Sequence, residues 1–381
     1  GIASGLVMTF GSPLFSKIVF KFSSAEYFAV VFFGLASVVA LAGKSLSGAI
    51  ISLLIGMFLA TIGVDPHYGT FRFGFGTDLL QSGVEFIIVM IGLFAIGEVL
   101  EMIEIKREES MIEKVKVKTN MPRFKDLWAL KGSIGRGLAI GTTVGGIPGA
   151  GAAVASFVAY GVERQVGKNR EEFGKGSMAG LAAPETAANA STGGAMIALL
   201  TIGIPGSAAT AVMLGAFKLK GINPGPLLFL TDQTLVYTIF MGFLLTNFIM
   251  IFMGIGAAKI FAQLLRVPQA VLASFIVAFC SIGAFALRNE IMDIWIAMIF
   301  GVVGYFMRRL NLPVAPLILG LILGPLAEDY FRISMITHNN NIWIFFTRPI
   351  SGVLMVISLA ALLSPFLKGL LSREKTKFPV G

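Results

Sequence analysis

The chain contains continuous apolar runs of about 20 residues, and a run of that length dictates the solvent in which it folds. "AEYFAVVFFGLASVVALAG" (25–43) and "SLSGAIISLLIGMFLATIG" (45–63) are two of them. "VEFIIVMIGLFAIGEVL" (84–100), "TLVYTIFMGFLLTNFIMIFMGIGAAKIF" (234–261), "QAVLASFIVAFCSIGAFAL" (269–287) and "IWIFFTRPISGVLMVISLAALL" (343–363) are four more. Such runs cross the hydrocarbon core as helices, and their unbroken character excludes the alternating pattern of a membrane β-barrel. Only 13% of the residues are charged, against about 25% in a soluble domain. The expected fold is all-α, a polytopic transmembrane helical bundle.

The net charge of +9 does not signal nucleic acid, because of where the charges lie. Eight Lys and Arg fall in the polar stretch 105–131, four more at 164–175, two at Arg308 and Arg309, and four between Lys368 and Lys377. Short loops rich in Lys and Arg stay in the cytoplasm. Taking Arg266 as inside, 269–287 runs outward and 290–307 returns to Arg308 and Arg309. Then 313–326 goes out towards Glu328 and Asp329, and 343–363 returns to the basic tail. On this topology Glu290 and Asp293 face the outer surface.

Catalytic constellations are missing. The lone Cys280 lies within an apolar run, and His67 and His338 stand far apart. No zinc-type cluster and no nucleophile–base set can be assembled from these residues, so neither an enzyme nor a metal cofactor is expected. The chain begins with Gly and shows no signal peptide, which reads as part of a longer protein.

Glycine is the anomaly. Between Gly132 and Gly225 lie 20 of the 45 glycines, and "GIPG" occurs at 146–149 and again at 203–206. "GINPGPLL" follows at 221–228. Glycine and proline damage helix interiors, yet the flanking sequence is apolar. Three readings compete: small-residue seams between helices, a cytoplasmic loop, and helices broken inside the membrane. Broken backbone at that depth survives only where protein or a water-filled cavity covers it. The apolar flanks argue against the loop, and length favours the break. Ser133 to Glu163 is about 46 Å as one helix, beyond a ~30 Å core. Folded at "GGIPGAG" it becomes a hairpin with two basic ends.

The stretch from "GTTVGGIPGAGAAVASFVAYGVERQVGKNREEFGKG" through "SMAGLAAPETAANASTGGAMIALLTIGIPGSAATAVMLGAFKLKGINPGPLLF" resembles the signature core of the large membrane subunit (TctA-type) of tripartite tricarboxylate transporters. The likeness continues into "FSSAEYFAVVFFGLASVVALAG" and "VDPHYGTFRFGFGTDLLQSGVEFIIVMIGLFAIGEVL". It implies a bacterial inner-membrane secondary transporter that takes up carboxylates with a Na⁺ or H⁺ gradient. The implied partners are a small membrane subunit (TctB-type) and a periplasmic substrate-binding protein (TctC-type). It also implies an inverted-repeat architecture, of whose first half this chain carries only the last helices. The expected organisation is 1–104 as membrane helices ending that half, 105–131 as a basic cytoplasmic loop, 132–228 as a broken-helix substrate core, and 229–381 as scaffold helices with a basic tail. A channel with carbonyl-lined breaks is the alternative function, and an intramembrane enzyme a more distant one.

A carboxylate substrate needs donors and positive potential. Backbone at Gly145, Gly146, Gly149 and Gly151, and at Gly203 and Gly206, offers both where helices break. Asn189, Ser191, Thr192 and Ser207 add side-chain donors; each hydroxyl has the alternative of bonding back to its own helix. Thr142, Thr143 and Glu185 are the candidates for the coupling ion. Glu185 is the only charged side chain from Gly176 to Phe217, and an ionisable group at membrane depth marks function by default. Its structural alternative is a helix start after Pro184 near the interface.

The topology predicts that a cysteine introduced at Lys116, in a Cys280→Ser background, resists a membrane-impermeant reagent added to intact cells. Efficient labelling from outside would reverse the orientation.

Overall fold

The computed structural model describes the chain except residues 42–45, 66, 77–79, 105–123, 149, 168–169, 174, 265–266 and 376–381. Most of the expected basic loop, and Gly149, therefore lie outside the described residues. The elements are α1 (Ile2–Val19), α2 (Ser24–Leu41), α3 (Leu46–Leu59), a hairpin of β1 (Gly63–Val64) and β2 (Phe71–Arg72), and α4 (Phe86–Glu104). They continue as α5 (Lys131–Gly145), α6 (Gly151–Val166), α7 (Met178–Ile202), α8 (Ala208–Leu219) and α9 (Gln233–Leu264). The last are α10 (Gln269–Arg288), α11 (Ile291–Arg309), α12 (Val314–Thr337) and α13 (Pro349–Lys375). Among the described residues six helices are long and apolar enough to cross a membrane: α1, α4, the first 22 residues of α9, α10, α11 and α12. This is an all-α polytopic membrane protein.

Two compact units interleave along the chain: 1–60, 130–241 and 315–381 form one, 61–129 and 242–314 the other. In the first, α5 and α6 form the antiparallel hairpin expected from their combined length. Its open end is locked by Glu163, 1% exposed, which accepts Arg136 Nε and Nη2 at 2.7 Å each and Ser133 Oγ at 2.8 Å. A buried carboxylate needs such partners, since unpaired charge in a low dielectric is strongly disfavoured.

Helix α7 runs parallel to α5. Gly137, Gly141 and Gly145, spaced by four and so on one face, lie against Ala183, Ala187 with Ala190, and Ser191 in that order. A Cβ on Gly141 would come within 2.7 Å of Ala187 Cα, and one on Gly145 within 2.6 Å of Ser191 Cα. The backbones touch, as small-residue seams in membranes allow. Elsewhere in this unit the buried Glu26 of α2 accepts Arg348 Nε at 2.6 Å, beside the start of α13, and the Ser23 amide and hydroxyl at 2.8 and 2.6 Å.

The expected end of a span at Glu328 and Asp329 is corrected. Helix α12 continues through Pro325 and this acidic pair to Thr337. Arg332, one turn on, pairs with Glu328 at 2.6 Å, and Tyr330 stacks on Tyr27 with ring centres 4.9 Å apart. The Glu328 charge is compensated within the helix, which continues past it.

In the second unit α4 packs on α11. A π-helical turn, Ile91–Ile96, interrupts α4, and Arg308 Nη2 donates to the carbonyls of Leu93 and Phe94 at 3.0 and 3.3 Å. Arg309 pairs with Glu104, which also accepts Tyr305 Oη at 2.6 Å. At the opposite end Arg288 pairs with Asp293. Asp293, expected on the outer surface, is fully buried. Asn289 adopts a left-handed conformation (φ 58°) after α10 and folds Arg288 back onto the first turn of α11. A negative charge is favourable there.

Arg136→Leu should destabilise the protein by roughly 2 kcal/mol, below the ~3–5 kcal/mol of a fully buried broken pair because the arginine is 39% exposed. Arg136→Leu with Glu163→Leu should recover most of the loss. Thermal unfolding in detergent checks both, and a double variant no better than the single one would contradict the latch.

Candidate functional site

Both "GIPG" segments interrupt helices. Helix α5 ends at Gly145, and α6 restarts at Gly151 with φ +61°. Helix α7 ends at Ile202, and Gly203 caps it in the left-handed conformation (φ 81°), its N–H donating to the Leu199 carbonyl at 2.9 Å. The third glycine-rich piece completes this end: Gly225 N–H donates to the Leu200 carbonyl at 3.1 Å. Helix α8 then starts with a capping box, in which the Ser207 hydroxyl accepts Thr210 N–H and Thr210 Oγ1 accepts Ser207 N–H at 2.9 Å.

The two interruptions meet. A Cβ on Gly206 would lie 2.9 Å from Ala195 Cα and would overlap the Gly145 carbonyl. One on Gly194 would lie 2.9 Å from Gly146 N and would overlap the Thr142 carbonyl. After Ile202 the chain therefore turns back alongside α7 by about 10 Å, seven residues of helix rise, to the level of Ala195. Pro148, in the first interruption, packs on Gly34 of α2, where a Cβ would meet its ring at 2.8 Å. The carboxyl end of α5, the amino ends of α6 and α8, and the middle of α7 converge here. Helix amino ends carry unpaired N–H groups and positive potential, carboxyl ends unpaired carbonyls and negative potential. Ala152, Ala153, Ala208 and Ala209, which follow the two amino ends, are exposed.

The 15 residues of α5 rise about 22 Å, whereas the 25 of α7 rise about 37 Å. The hairpin tip thus stops beside Ser191–Ala195, with two further turns of α7 beyond it.

Of the expected side chains, most hydroxyl hydrogens are taken up locally. Thr143 donates to the Ala139 carbonyl at 2.8 Å, Ser191 to Ala188 at 2.7 Å and Thr192 to Asn189 at 2.6 Å. Asn189 Nδ2 donates to the Glu185 carbonyl at 3.0 Å. Those oxygens retain lone pairs. Thr142 Oγ1 differs: it is buried and has no hydrogen-bond partner among the described residues. Glu185 does not start a helix, since Ser177 caps α7 and accepts Gly180 N–H at 3.1 Å, and Glu185 lies two turns in. It is exposed, in no ion pair among the described residues, on one face with Asn189 and Thr192. Sequence reasoning did not single out Gly137, Gly141, Gly194 or Gly34. The four-residue spacing of Gly137, Gly141 and Gly145 was the available signal.

These features define a class: a polytopic helical membrane protein whose centre is built from interrupted helices meeting at their ends. The chain belongs to the tripartite tricarboxylate transporter TctA family, whose model matches residues 1–319. This is a transporter family rather than an enzyme family. An uncharacterized 52.8 kDa protein in the TAR-I ttuC' 3' region of Agrobacterium vitis is 30% identical over 385 residues, covering 99% of this chain and 75% of that protein. An uncharacterized protein in the TAR-II ttuC' 3' region of the same organism is 34% identical over 238 residues, covering 62% of this chain and 98% of that one. No solved structure matches the chain.

The packing predicts that Gly145→Ala and Gly206→Ala each lower thermal stability in detergent, because backbone atoms block the new methyl. Gly146→Ala should not, since its φ is helical and its nearest neighbour would lie at 3.5 Å. Equal stability of all three would refute the contact between the interruptions.

Proposed function

We propose that this chain is the substrate-translocating subunit of a binding-protein-dependent carboxylate uptake system in the bacterial inner membrane, driven by a Na⁺ or H⁺ gradient. Its partners on this reading are a TctB-type small membrane subunit and a TctC-type periplasmic protein that delivers the substrate. The observation that carries the proposal is the meeting of the two interruptions at Gly145, Gly194, Ala195 and Gly206. Helix ends at one point supply both signs of potential without an ionised side chain.

The carboxylate is assigned to the amino ends of α6 and α8, with backbone from Gly146 to Gly151 and from Gly203 to Ser207. The coupling cation is assigned to the carbonyl end of α5, where the Thr142 hydroxyl lacks a partner among the described residues. Thr143 contributes an oxygen whose lone pairs suit a cation. Ser191 and Thr192, expected as donors to the substrate, are reassigned to the cation because their hydrogens are donated to Ala188 and Asn189 and only lone pairs remain. Glu185, Asn189 and Thr192 form a polar face along α7 towards that point.

Uptake of a panel of labelled carboxylates by the complete assembly in proteoliposomes, with Na⁺ and pH varied separately, tests the function. Saturable uptake that requires the binding protein supports a carrier, whereas uptake linear in concentration and independent of it supports a channel. Within a working assembly Glu185→Gln should reduce uptake at least tenfold with unchanged thermal stability, because the carboxylate has no ion pair among the described residues to lose. Gly146→Ala should weaken uptake at preserved stability. Wild-type transport from both variants would move the site elsewhere.

A further inference from the structure

We propose that the β1–β2 hairpin and the segment after it, described residues 63–65 and 67–76, form an aromatic anchor seated in the lipid headgroup layer at the end of the second unit that carries Arg288 and Asp293. Four rings define it: Tyr68 is 74% exposed, Phe75 70%, Phe73 49% and Phe71 39%. The single described acid of the segment is turned inward. Asp65, 3% exposed, accepts the amides of His67 and Tyr68 at 2.8 and 3.2 Å and pairs with Arg72 at 3.5 Å. The strands pair Gly63 with Arg72 and Val64 with Phe71, and Asp65 N–H donates to the Thr70 carbonyl at 2.8 Å. The segment is thus prefolded with its charges used internally and its rings outward.

Two further facts separate it from an ordinary turn. Phe73 and Phe75 adopt left-handed backbone, φ 52° and 50°. Bulky residues avoid that region unless the surroundings hold them there. The base of the hairpin also sits beside the ends of two candidate spans, α4 and α10. A Cβ on Gly63 would lie 2.9 Å from Gly83 Cα, and Gly83 is three residues, at most about 10 Å of chain, from the start of α4. The adjoining Ser82 carbonyl accepts Arg288 Nη1 at 3.4 Å, at the carboxyl end of α10.

The occupant follows from continuity. Helix α10 carries exposed Phe279 (69%) and Phe285 (39%) up to Arg288, and α11 begins with exposed Trp295 (61%). These belong to spans that face lipid, and the hairpin rings extend that apolar surface past the helix ends. The headgroup zone is roughly 5–7 Å thick on each side, and aromatic side chains concentrate in it. In water the same four rings would form an exposed apolar patch of the kind soluble surfaces avoid. The anchor does not depend on the transported substrate.

Spin labels at Phe75→Cys and Tyr68→Cys, each in a Cys280→Ser background and reconstituted in phosphatidylcholine–phosphatidylglycerol liposomes, test this. Collision rates with oxygen and with a water-soluble nickel chelate are compared with Phe279→Cys, on the exposed apolar face of α10, and Glu171→Cys, in an exposed 3-10 turn. The expected result at both positions is an oxygen-to-nickel ratio between the two controls and at least threefold above Glu171→Cys. A ratio equal to Glu171→Cys would overturn the proposal. So would nickel protection that appears only when the other subunits are added, which would assign the rings to a protein partner. Should Phe75→Cys fail to elute as a folded species, Tyr68→Cys decides alone, since its position needs no left-handed backbone.

Discussion

Backbone contact between α5 and α7 is the interaction on which the remainder of the centre depends. Hydrocarbon provides no hydrophobic force between helices, so close packing and dispersion must hold them. Gly137, Gly141 and Gly145 permit that approach, and each further turn of α5 meets a small residue of α7. The seam sets the depth at which α5 ends. It thereby decides where the first interruption lies along α7, and Gly206 brings the second to the same level. Were any of these glycines larger, the helix ends would separate before any chemistry at them could be shared.

Interrupting helices leaves orphan polar groups, and their disposal is uneven. The carboxyl end of α7 is closed twice, by Gly203 and by the Gly225 amide on Leu200. The amino end of α8 is partly closed by the Ser207–Thr210 box. The first N–H groups of α6 and α8 have no intrahelical acceptor by construction. At the carboxyl end of α5 the Thr142 and Thr143 carbonyls accept Gly146 N–H at 3.3 and 3.2 Å, and the Val144 carbonyl accepts Ile147 N–H at 3.0 Å. A cation there would use their second lone pairs, whereas the first amides of α6 and α8 remain for an anion.

The spans at 84–100, 234–261, 269–287 and 290–307 were readable from sequence because length and apolarity are properties of single segments, whereas the run 45–63 forms only the 14-residue helix Leu46–Leu59, the run 343–363 is interrupted at the extended Arg348 before Pro349, and Ile2–Val19 was not named as a span. The α5–α6 hairpin was readable for the same reason, with its excess length and two basic ends. Asp293 was not, because its burial depends on Arg288 folding back after Asn289, a pairing across a turn. The extension of α12 past Glu328 depended likewise on Arg332 and on Tyr27 far away in sequence. The glycines show the sharpest limit. Absence of a Cβ serves a seam and an unwound turn equally well, so Gly145 carries both meanings, and only the positions it touches reveal that it packs. Hydroxyls such as Ser191 and Thr143 are ambiguous for a similar reason, since a helix carbonyl is always within their reach.

The hairpin of α5 and α6 has a consequence for how the chain assembles. Its legs are too short to cross the bilayer, and its tip, with Pro148 on Gly34 and Gly145 on Ser191, is covered by α2 and α7. Until both are in place the interrupted backbone would face lipid with unpaired amides and carbonyls, which hydrocarbon does not tolerate. The hairpin therefore cannot enter as an independent unit during synthesis. Its cover is complete only when α7, which follows it in sequence, has joined it beside α2.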